Sequence, residues 1–214
     1  MLTHPDIDAL ARILPTEFGR DEELDWGAVE VELGMRLPSD YRAFMGLYGC
    51  GAIYELGILR PVLYKKQRVQ WIATFADETP TMQEMWDMDR GGEVVGSPLT
   101  AEAVLAWGTG CNGSLLGWLR DGSDPDQWPV IVWAVDGDPN WRLYRCGMAE
   151  FLRRLMLAEI DENPLSDDSL WGRVRPFVHW REQQRRYFAG LDTSTGEPCP
   201  YADMYPPDPN DFVE

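Results

Sequence analysis

Five aspartates fall within two short stretches of the chain, and carboxylates at this density could bind a hard cation or carry out acid–base chemistry. They are Asp121, Asp124, Asp126, Asp136 and Asp138. Their spacing does not match the ligand positions of an EF-hand loop, and Pro125 and Pro139 indicate turns. We therefore expect two solvated loops that could meet a basic partner, rather than a metal or catalytic site.

The run Gly108-Thr109-Gly110-Cys111-Asn112-Gly113 has the spacing G-x-G-x-x-G and follows an apolar stretch. In a dinucleotide-binding fold such a loop opens a helix whose N-terminus meets the pyrophosphate. Here residues 114–119 form another apolar stretch, and Asp121-Gly122 then supplies turn chemistry. The run therefore predicts a β-hairpin, and we expect no nucleotide cofactor.

Histidine and cysteine, the usual residues of zinc sites and nucleophilic enzymes, are few. The histidines are His4 and His179, and the four widely spaced cysteines are Cys50, Cys111, Cys146 and Cys199. Their spacing does not form a zinc set, the cysteines contain no C-x-x-C, and the chain lacks G-x-S-x-G. We expect free thiols, no metal site, no cofactor and no catalytic residue.

Acidic side chains outnumber basic ones by 36 to 19, which gives a net charge of −17. Binding to nucleic acid or to an anionic membrane needs clustered Lys and Arg, so this charge argues against both. It favours a cationic partner, with solubility as the alternative reason for the excess. The sequence shows neither a signal-peptide pattern nor an apolar run of membrane-spanning length. We therefore expect a cytoplasmic protein of unspecified oligomeric state.

The elements that could position functional residues begin with a helix in the run 37–53. Ser39, preceded by Pro38, is the expected N-cap, and Gly49 is the expected left-handed residue after the helix. The side chains spaced as one apolar stripe are Tyr41, Phe44, Met45 and Tyr48. The chain then passes through Gly51 into a strand-rich stretch.

The hydrophobic period changes from helix to strand near residue 100. Helices are predicted over 5–14, over 25–34, over 80–89 with Thr79 at its start, and over 148–160. Apolar runs separated by turn residues predict strands over 103–107, 114–119, 130–135 and 141–144. Connections this short cannot hold crossover helices, so neighbouring strands should be antiparallel. The predicted fold class is α+β, with helices packed on an antiparallel-rich sheet.

Several short motifs occur in an order that resembles the SUKH superfamily, specifically its Smi/Knr-type branch. The motifs are Leu33-Gly34, 37–41, 48–51, Trp118, 124–130, Trp141, Gly147-Met148 and Phe151-Leu152. The likeness covers residues 25–160. Outside it we predict a helical, acidic lead-in over 1–24 with a solvated acidic patch at 21–23, and a loop with an additional helix within 161–190. The acidic, proline-rich tail over 191–214 is predicted to be either loose or strapped across the sheet through Tyr201, Met204, Tyr205 and Phe212.

The resemblance implies a single α+β domain that binds other proteins without catalysis. Bacterial members resemble immunity proteins, which neutralise a cognate toxin, and fungal relatives coordinate cell-wall synthesis. We therefore expect an acidic domain that occludes a basic toxin domain; the alternatives are an intracellular scaffold or regulator and, last, an enzyme. The expected partner-binding residues are the five loop aspartates with Trp128 and Trp141. The expected structural residues are Pro38, Ser39, Tyr41, Phe44, Gly49 and Gly51.

Overall fold

The fold is given by a computed structural model that describes residues 4–62, 73–204 and 206. Within these residues the helices are α1 (Pro5–Ala11), α2 (Trp26–Leu33), α3 (Ser39–Leu47), α4 (Phe75–Met88), α5 (Gly91–Val95), α6 (Met148–Met156) and α7 (Trp180–Phe188). The strands are β1 (Gly51–Ile53), β2 (Leu56–Ile58), β3 (Val104–Gly110), β4 (Leu115–Leu119), β5 (Val130–Trp133), β6 (Trp141–Tyr144) and β7 (Phe177–His179). The helices pack on the sheet, which confirms the predicted α+β class.

The sheet has the strand order β6-β5-β4-β3-β2-β1-β7, and each neighbouring pair is antiparallel. This confirms the antiparallel pairing expected from the short connections. The glycine-rich run forms the β3–β4 hairpin, in which the Gly110 N–H donates to the Ser114 carbonyl at 2.8 Å and Gly113 has a φ of +86°. A strand follows the run instead of a helix, so the hairpin prediction is confirmed.

Helix α3 turns the predicted apolar stripe toward the core. Tyr41, Phe44, Met45 and Tyr48 are all buried, and the Phe44 ring lies 5.6 Å from that of Phe177 on β7. The helix ends as expected, because Gly49 has a left-handed φ of +74°. Phe44 and Tyr48 therefore pack α3 against Phe177 on β7, and Tyr41 packs against Trp118 on β4.

The expected N-cap of α3 is wrong. Ser39 is already the first helical residue, Pro38 precedes it in the cap position, and neither side chain caps the helix. The backbone N–H of Ser39 instead donates to Oδ1 of Asp126 at 2.6 Å. A carboxylate 87 residues away in the sequence thus supplies the acceptor that a local serine was expected to supply.

Helix α4 starts earlier than the sequence suggested. Thr74 and Asp77 form a capping box around its first turn, so the helix begins at Phe75 and carries Pro80 inside it. Thr79, the predicted start, is buried within the helix, and its hydroxyl accepts a hydrogen bond from the Ala106 N–H at 3.2 Å. The capping box, and not Pro80, therefore marks the start of the helix.

The described residues before 25 and the segment 161–190 are parts of the same α+β domain. In the lead-in, Ile7, Leu10 and Leu14 are buried, and the Leu14 carbonyl accepts a hydrogen bond from the Tyr48 hydroxyl at 2.7 Å. In the segment 161–190, where only a loop and a helix were predicted, β7 adds a strand beside β1. The predicted lead-in and C-terminal segment therefore complete the core and the sheet.

The described part of the predicted tail folds back instead of crossing the sheet. Arg186 of α7 donates hydrogen bonds to the Thr193 and Ser194 carbonyls, which holds the first turns of the tail against this helix. Tyr201 and Met204, two of the expected strap contacts, are 62% and 66% exposed, so that part of the expectation is wrong. The other expected strap contacts, Tyr205 and Phe212, lie outside the described residues.

Candidate partner-binding surface

The two aspartate loops lie at opposite ends of β5. Val130 pairs with Trp118 and Trp133 pairs with Leu115, so the loop over 120–129 enters one end of the strand and the loop over 134–140 leaves the other. The four residues of β5 separate these ends by about 10 Å. The five aspartates, all exposed, are therefore divided between the two ends of this strand.

Two carboxylates of the first loop make contacts within the fold. Asp124 Oδ1 accepts a hydrogen bond from the Asp126 N–H at 3.2 Å, and Asp126 Oδ1 caps α3 through Ser39. The loop borders an open cleft of about 750 Å³ that also includes Arg36 and Arg120. The charge of this cleft is mixed, so it is a weaker match to a basic partner than the aspartates alone suggest.

Trp128 and Trp141, the expected aromatic anchors, are core residues. Trp128 is 6% exposed and donates its indole N–H to the Gly122 carbonyl at 3.1 Å. Trp141 is 1% exposed and packs edge-on against Trp86, with ring centroids 5.0 Å apart. Trp128 borders the cleft but is almost entirely covered, and Trp141 has almost no exposed surface, so the prediction that the two rings anchor a partner is wrong. Their apolar character, which suggested an interface, instead fills the interior.

A second acidic surface surrounds an apolar groove near the beginning of the chain, which we call the N-terminal groove. Its apolar lining consists of Ile7, Leu24, Trp26, Ala43, Gly46 and Leu47, and its volume is about 380 Å³. Its acidic rim consists of Asp8, Asp21 and Glu23, all exposed. This juxtaposition of apolar lining and carboxylates escaped sequence reasoning, because it combines residues from α1, the segment before α2, α2 itself and α3.

Glu22, between the two rim residues of that segment, points into the protein. Its side chain is 4% exposed, although the run Asp21-Glu22-Glu23 reads as a solvated acidic patch. Its Oε2 lies 3.0 Å from Nε2 of His179 and 3.2 Å from both the backbone N and Sγ of Cys50, and its Oε1 lies 3.3 Å from Nε of Arg60. Glu22 therefore joins the lead-in to β7 and to the turn before β1.

Burial opposes ionisation of Glu22, but hydrogen bonds from His179 and Cys50, with the charge of Arg60, outweigh it. The pKa of this carboxyl consequently lies below its ordinary value of 4.5. Burial and the Glu22 carboxylate raise the pKa of the Cys50 thiol well above its ordinary value, so the thiol stays protonated. No spacing signal could have found this cluster, since Glu22 and His179 are 157 residues apart.

Both nitrogens of His179 are committed within the cluster. Nδ1 accepts a hydrogen bond from the Arg181 N–H at 3.2 Å, so the ring proton lies on Nε2 and is donated to Glu22. The ring therefore has no nitrogen free to take a proton from a substrate, and the neighbouring thiol is not a thiolate. The cluster, beside a cavity of about 90 Å³, is suited to holding elements together rather than to acid–base or nucleophilic chemistry.

Across the described ranges, no group of three or more histidine, cysteine or acidic side chains is arranged to hold a metal ion. None of the helices in those same ranges has the length and apolar character needed to cross a membrane. Comparison with protein-family models, with curated proteins and with solved structures found no match to this chain.

Proposed function

We propose that this chain is a non-catalytic, acidic protein-binding domain, and that it acts as an immunity-type protein by docking on a basic toxin domain and occluding it. The observation that carries the proposal is the net charge of −17 together with exposed carboxylates on the surface loops and on the rim of the N-terminal groove. Such a surface raises the rate of encounter with a basic protein.

The chemistry of the polar cluster supports the non-catalytic part of the proposal. Glu22, Cys50 and His179 satisfy one another's hydrogen-bonding groups instead of presenting them to a substrate. The four cysteines are free thiols, which supports a cytoplasmic location because thiols persist in a reducing compartment. If the toxin is a nuclease, the carboxylates would occupy positions on it that nucleic-acid phosphates otherwise take.

The second candidate is an intracellular scaffold or regulatory protein that uses the same acidic surface on a partner that is not toxic. The same charge supports this candidate, because electrostatic steering does not depend on what the partner does. The two candidates differ in one consequence: only a toxin should harm cells in which it is made without this chain.

The test is affinity capture from the source cell with the tagged chain, followed by expression of the captured partner in a host cell with and without the chain. We expect a protein with a basic domain that is captured at low salt and lost at high salt. Its expression should stop growth, and co-expression of the chain should restore growth. A harmless partner would favour the scaffold, and failure to capture any basic protein would contradict both candidates.

A further inference from the structure

We propose that the N-terminal groove is the docking site for a short segment of the protein partner, in which one large apolar side chain sits over Gly46 and flanking Lys or Arg residues pair with Asp8, Asp21 and Glu23. This rests on the proposed function, since it assigns to one surface the basic partner inferred above. The occupant follows from the chemistry of the groove, which is apolar along its lining and acidic along its rim.

Gly46 leaves space that the described part of the protein does not use. It lies inside α3, where glycine costs about 1 kcal/mol relative to alanine. A Cβ built on Gly46 would have no heavy atom of the described residues within 4 Å. Gly49 differs, because a Cβ there would lie 2.6 Å from Cδ2 of His179. Internal packing thus explains why residue 49 is glycine, but it does not explain why residue 46 is. The open space above Gly46 is part of the groove.

The acidic rim is held in place from inside the protein. Asp21 Oδ1 accepts a hydrogen bond from the Glu23 N–H at 2.8 Å, and Glu23 has a left-handed φ of +53°. Between them, the Glu22 N–H donates to the Met45 carbonyl at 3.1 Å, and the Glu22 carboxylate is fixed by Cys50 and His179. With Glu22 turned inward, Asp21 and Glu23 remain at the surface in a fixed geometry, which lowers the cost of ordering them on binding.

Arg42, the cation among the residues that line the groove, is already neutralised. Arg42 forms an ion pair with Glu30 at 2.9 Å and lies over the Trp26 ring, 5.1 Å from its centroid. Among the residues that line the groove itself, the charges left for a partner are therefore the three rim carboxylates, and they complement Lys or Arg. On their other side Asp21 and Glu23 border the small cavity that is lined by Arg20, Arg60 and Arg181. The half-buried ring of Trp26 and the apolar lining supply the contact that slows dissociation.

Gly46→Phe is the decisive variant, because its ring would fill the groove, and Gly46→Ala is the matched control, because its methyl group would enter open space. The probe is a short synthetic peptide with one leucine between pairs of lysines, and the comparison peptide has glutamates in place of the lysines. Binding is followed through the NMR signals of the backbone amides at positions 46 and 47 and of the Trp26 indole.

We expect the lysine peptide to shift these signals in the wild type and in Gly46→Ala, and the glutamate peptide to leave them unchanged. Gly46→Phe should weaken peptide binding at least tenfold with its melting temperature near that of Gly46→Ala. If Gly46→Phe does not fold, the double variant Asp21→Asn/Glu23→Gln replaces it and should weaken binding by a similar factor. Shifts confined to other surfaces, an absence of shifts at millimolar peptide, or equal binding by the variants would overturn the proposal.

Two further outcomes separate this inference from the proposed function. Concentration-dependent shifts of the same signals without peptide would identify a second copy of the chain as the occupant and overturn the assignment to a partner segment. If a basic partner is captured and inhibited but Gly46→Phe binds it as tightly as Gly46→Ala does, the groove assignment fails while the proposed function stands. If no basic partner exists, the proposed function fails, and the peptide titration still decides what the groove binds.

Discussion

The carboxylate of Asp40 on α3 caps a different helix, accepting a hydrogen bond from the Ala149 N–H in the first turn of α6 at 2.9 Å. The position before α6 is Gly147, which has no side chain to cap the helix itself. A Cβ on Gly147 would lie 2.6 Å from Oδ2 of Asp40, so the glycine also makes room for this carboxylate. Two helices distant in sequence are thus joined through one buried side chain.

Replacing Asp40 with alanine should lower the free energy of unfolding by about 2 kcal/mol, because it leaves the buried N–H groups of Tyr41 and Ala149 without this acceptor. Burial raises the pKa of the Asp40 carboxyl, so part of the gain from its hydrogen bonds is already offset. Urea denaturation measures the change. The exposed loop variant Asp121→Ala is the control and should stay within about 0.5 kcal/mol of wild type; an equal effect of both variants would contradict the capping role.

Gly49→Val should cost more than about 2 kcal/mol. Its left-handed φ of +74° resists a β-branched residue, and a Cβ would collide with the His179 ring and the Arg20 carbonyl. Gly46→Ala, three positions earlier and inside α3, should instead raise the melting temperature because alanine favours the helix and meets open space. A melt of Gly49→Val like that of wild type would show that the turn does not need glycine.

The free energy of unfolding should fall as the pH drops below 4.5, and part of this loss should come from protonation of Glu22. Its folded pKa lies below that ordinary value, so its ionised form contributes stability that is complete above pH 4.5 and is lost as the pH falls through the folded pKa. Glu22→Gln should be less stable at pH 7 by about 2 kcal/mol, because it loses hydrogen bonds to an ionised group, and it should lose less stability on acidification. Thermal melts from pH 7 to pH 3 test this. Parallel profiles for wild type and Glu22→Gln would exclude this role.

Cys111 should react slowly with thiol reagents even though it is exposed. A hydrogen bond to Glu55, with smaller contributions from burial and from nearby carboxylates, raises the pKa of its thiol to about 11, so little thiolate exists at pH 8. Glu55→Gln should increase the rate of Cys111 labelling by about tenfold or more. Labelling of the native protein, followed by peptide mapping, gives this rate, and buried Cys50 should remain unlabelled in both proteins. An unchanged Cys111 rate would argue against the Glu55 contact.

The two aspartate loops should contribute separately to partner association, because they lie at opposite ends of β5. Neutralising Asp121, Asp124 and Asp126 to asparagine, and separately Asp136 and Asp138, should slow association by different factors, and both effects should shrink at high salt. Stopped-flow mixing with the captured partner at two ionic strengths measures the rates. If neither set slows association at low salt, the loops are not the steering surface, and the rim of the N-terminal groove becomes the candidate.

Local patterns predicted the parts of the fold that local physics determines. The α3 stripe, Gly49 and the hairpin at Gly113 follow from side-chain period and turn chemistry over a few residues. The contacts that define the surfaces are long-range: Asp126 replaces Ser39 as the cap of α3, and His179 holds Glu22 inside what reads as an acidic surface patch. The type of residue at those positions does not indicate which distant residue it meets.

Trp141 illustrates why the candidate site was harder to predict than the fold. A tryptophan beside an acidic loop is equally compatible with a binding surface and with a core, and only its position on the inner side of β6 against Trp86 decides between them. In the N-terminal groove the informative residue is Gly46. It indicates a groove only because the space above it is empty, and no sequence pattern shows that space.

The pairing of β7 with β1 also affects where the chain can be cut. A recombinant fragment ending at residue 160 would lack Phe177–His179, leaving the outer backbone groups of β1 unpaired. An exposed strand of this kind recruits other chains, and the loss of His179 and Phe177 would also uncover Cys50 and the α3 stripe. Truncation at residue 160 should therefore yield an aggregating product, whereas expression beyond residue 190 retains the strand that closes this side.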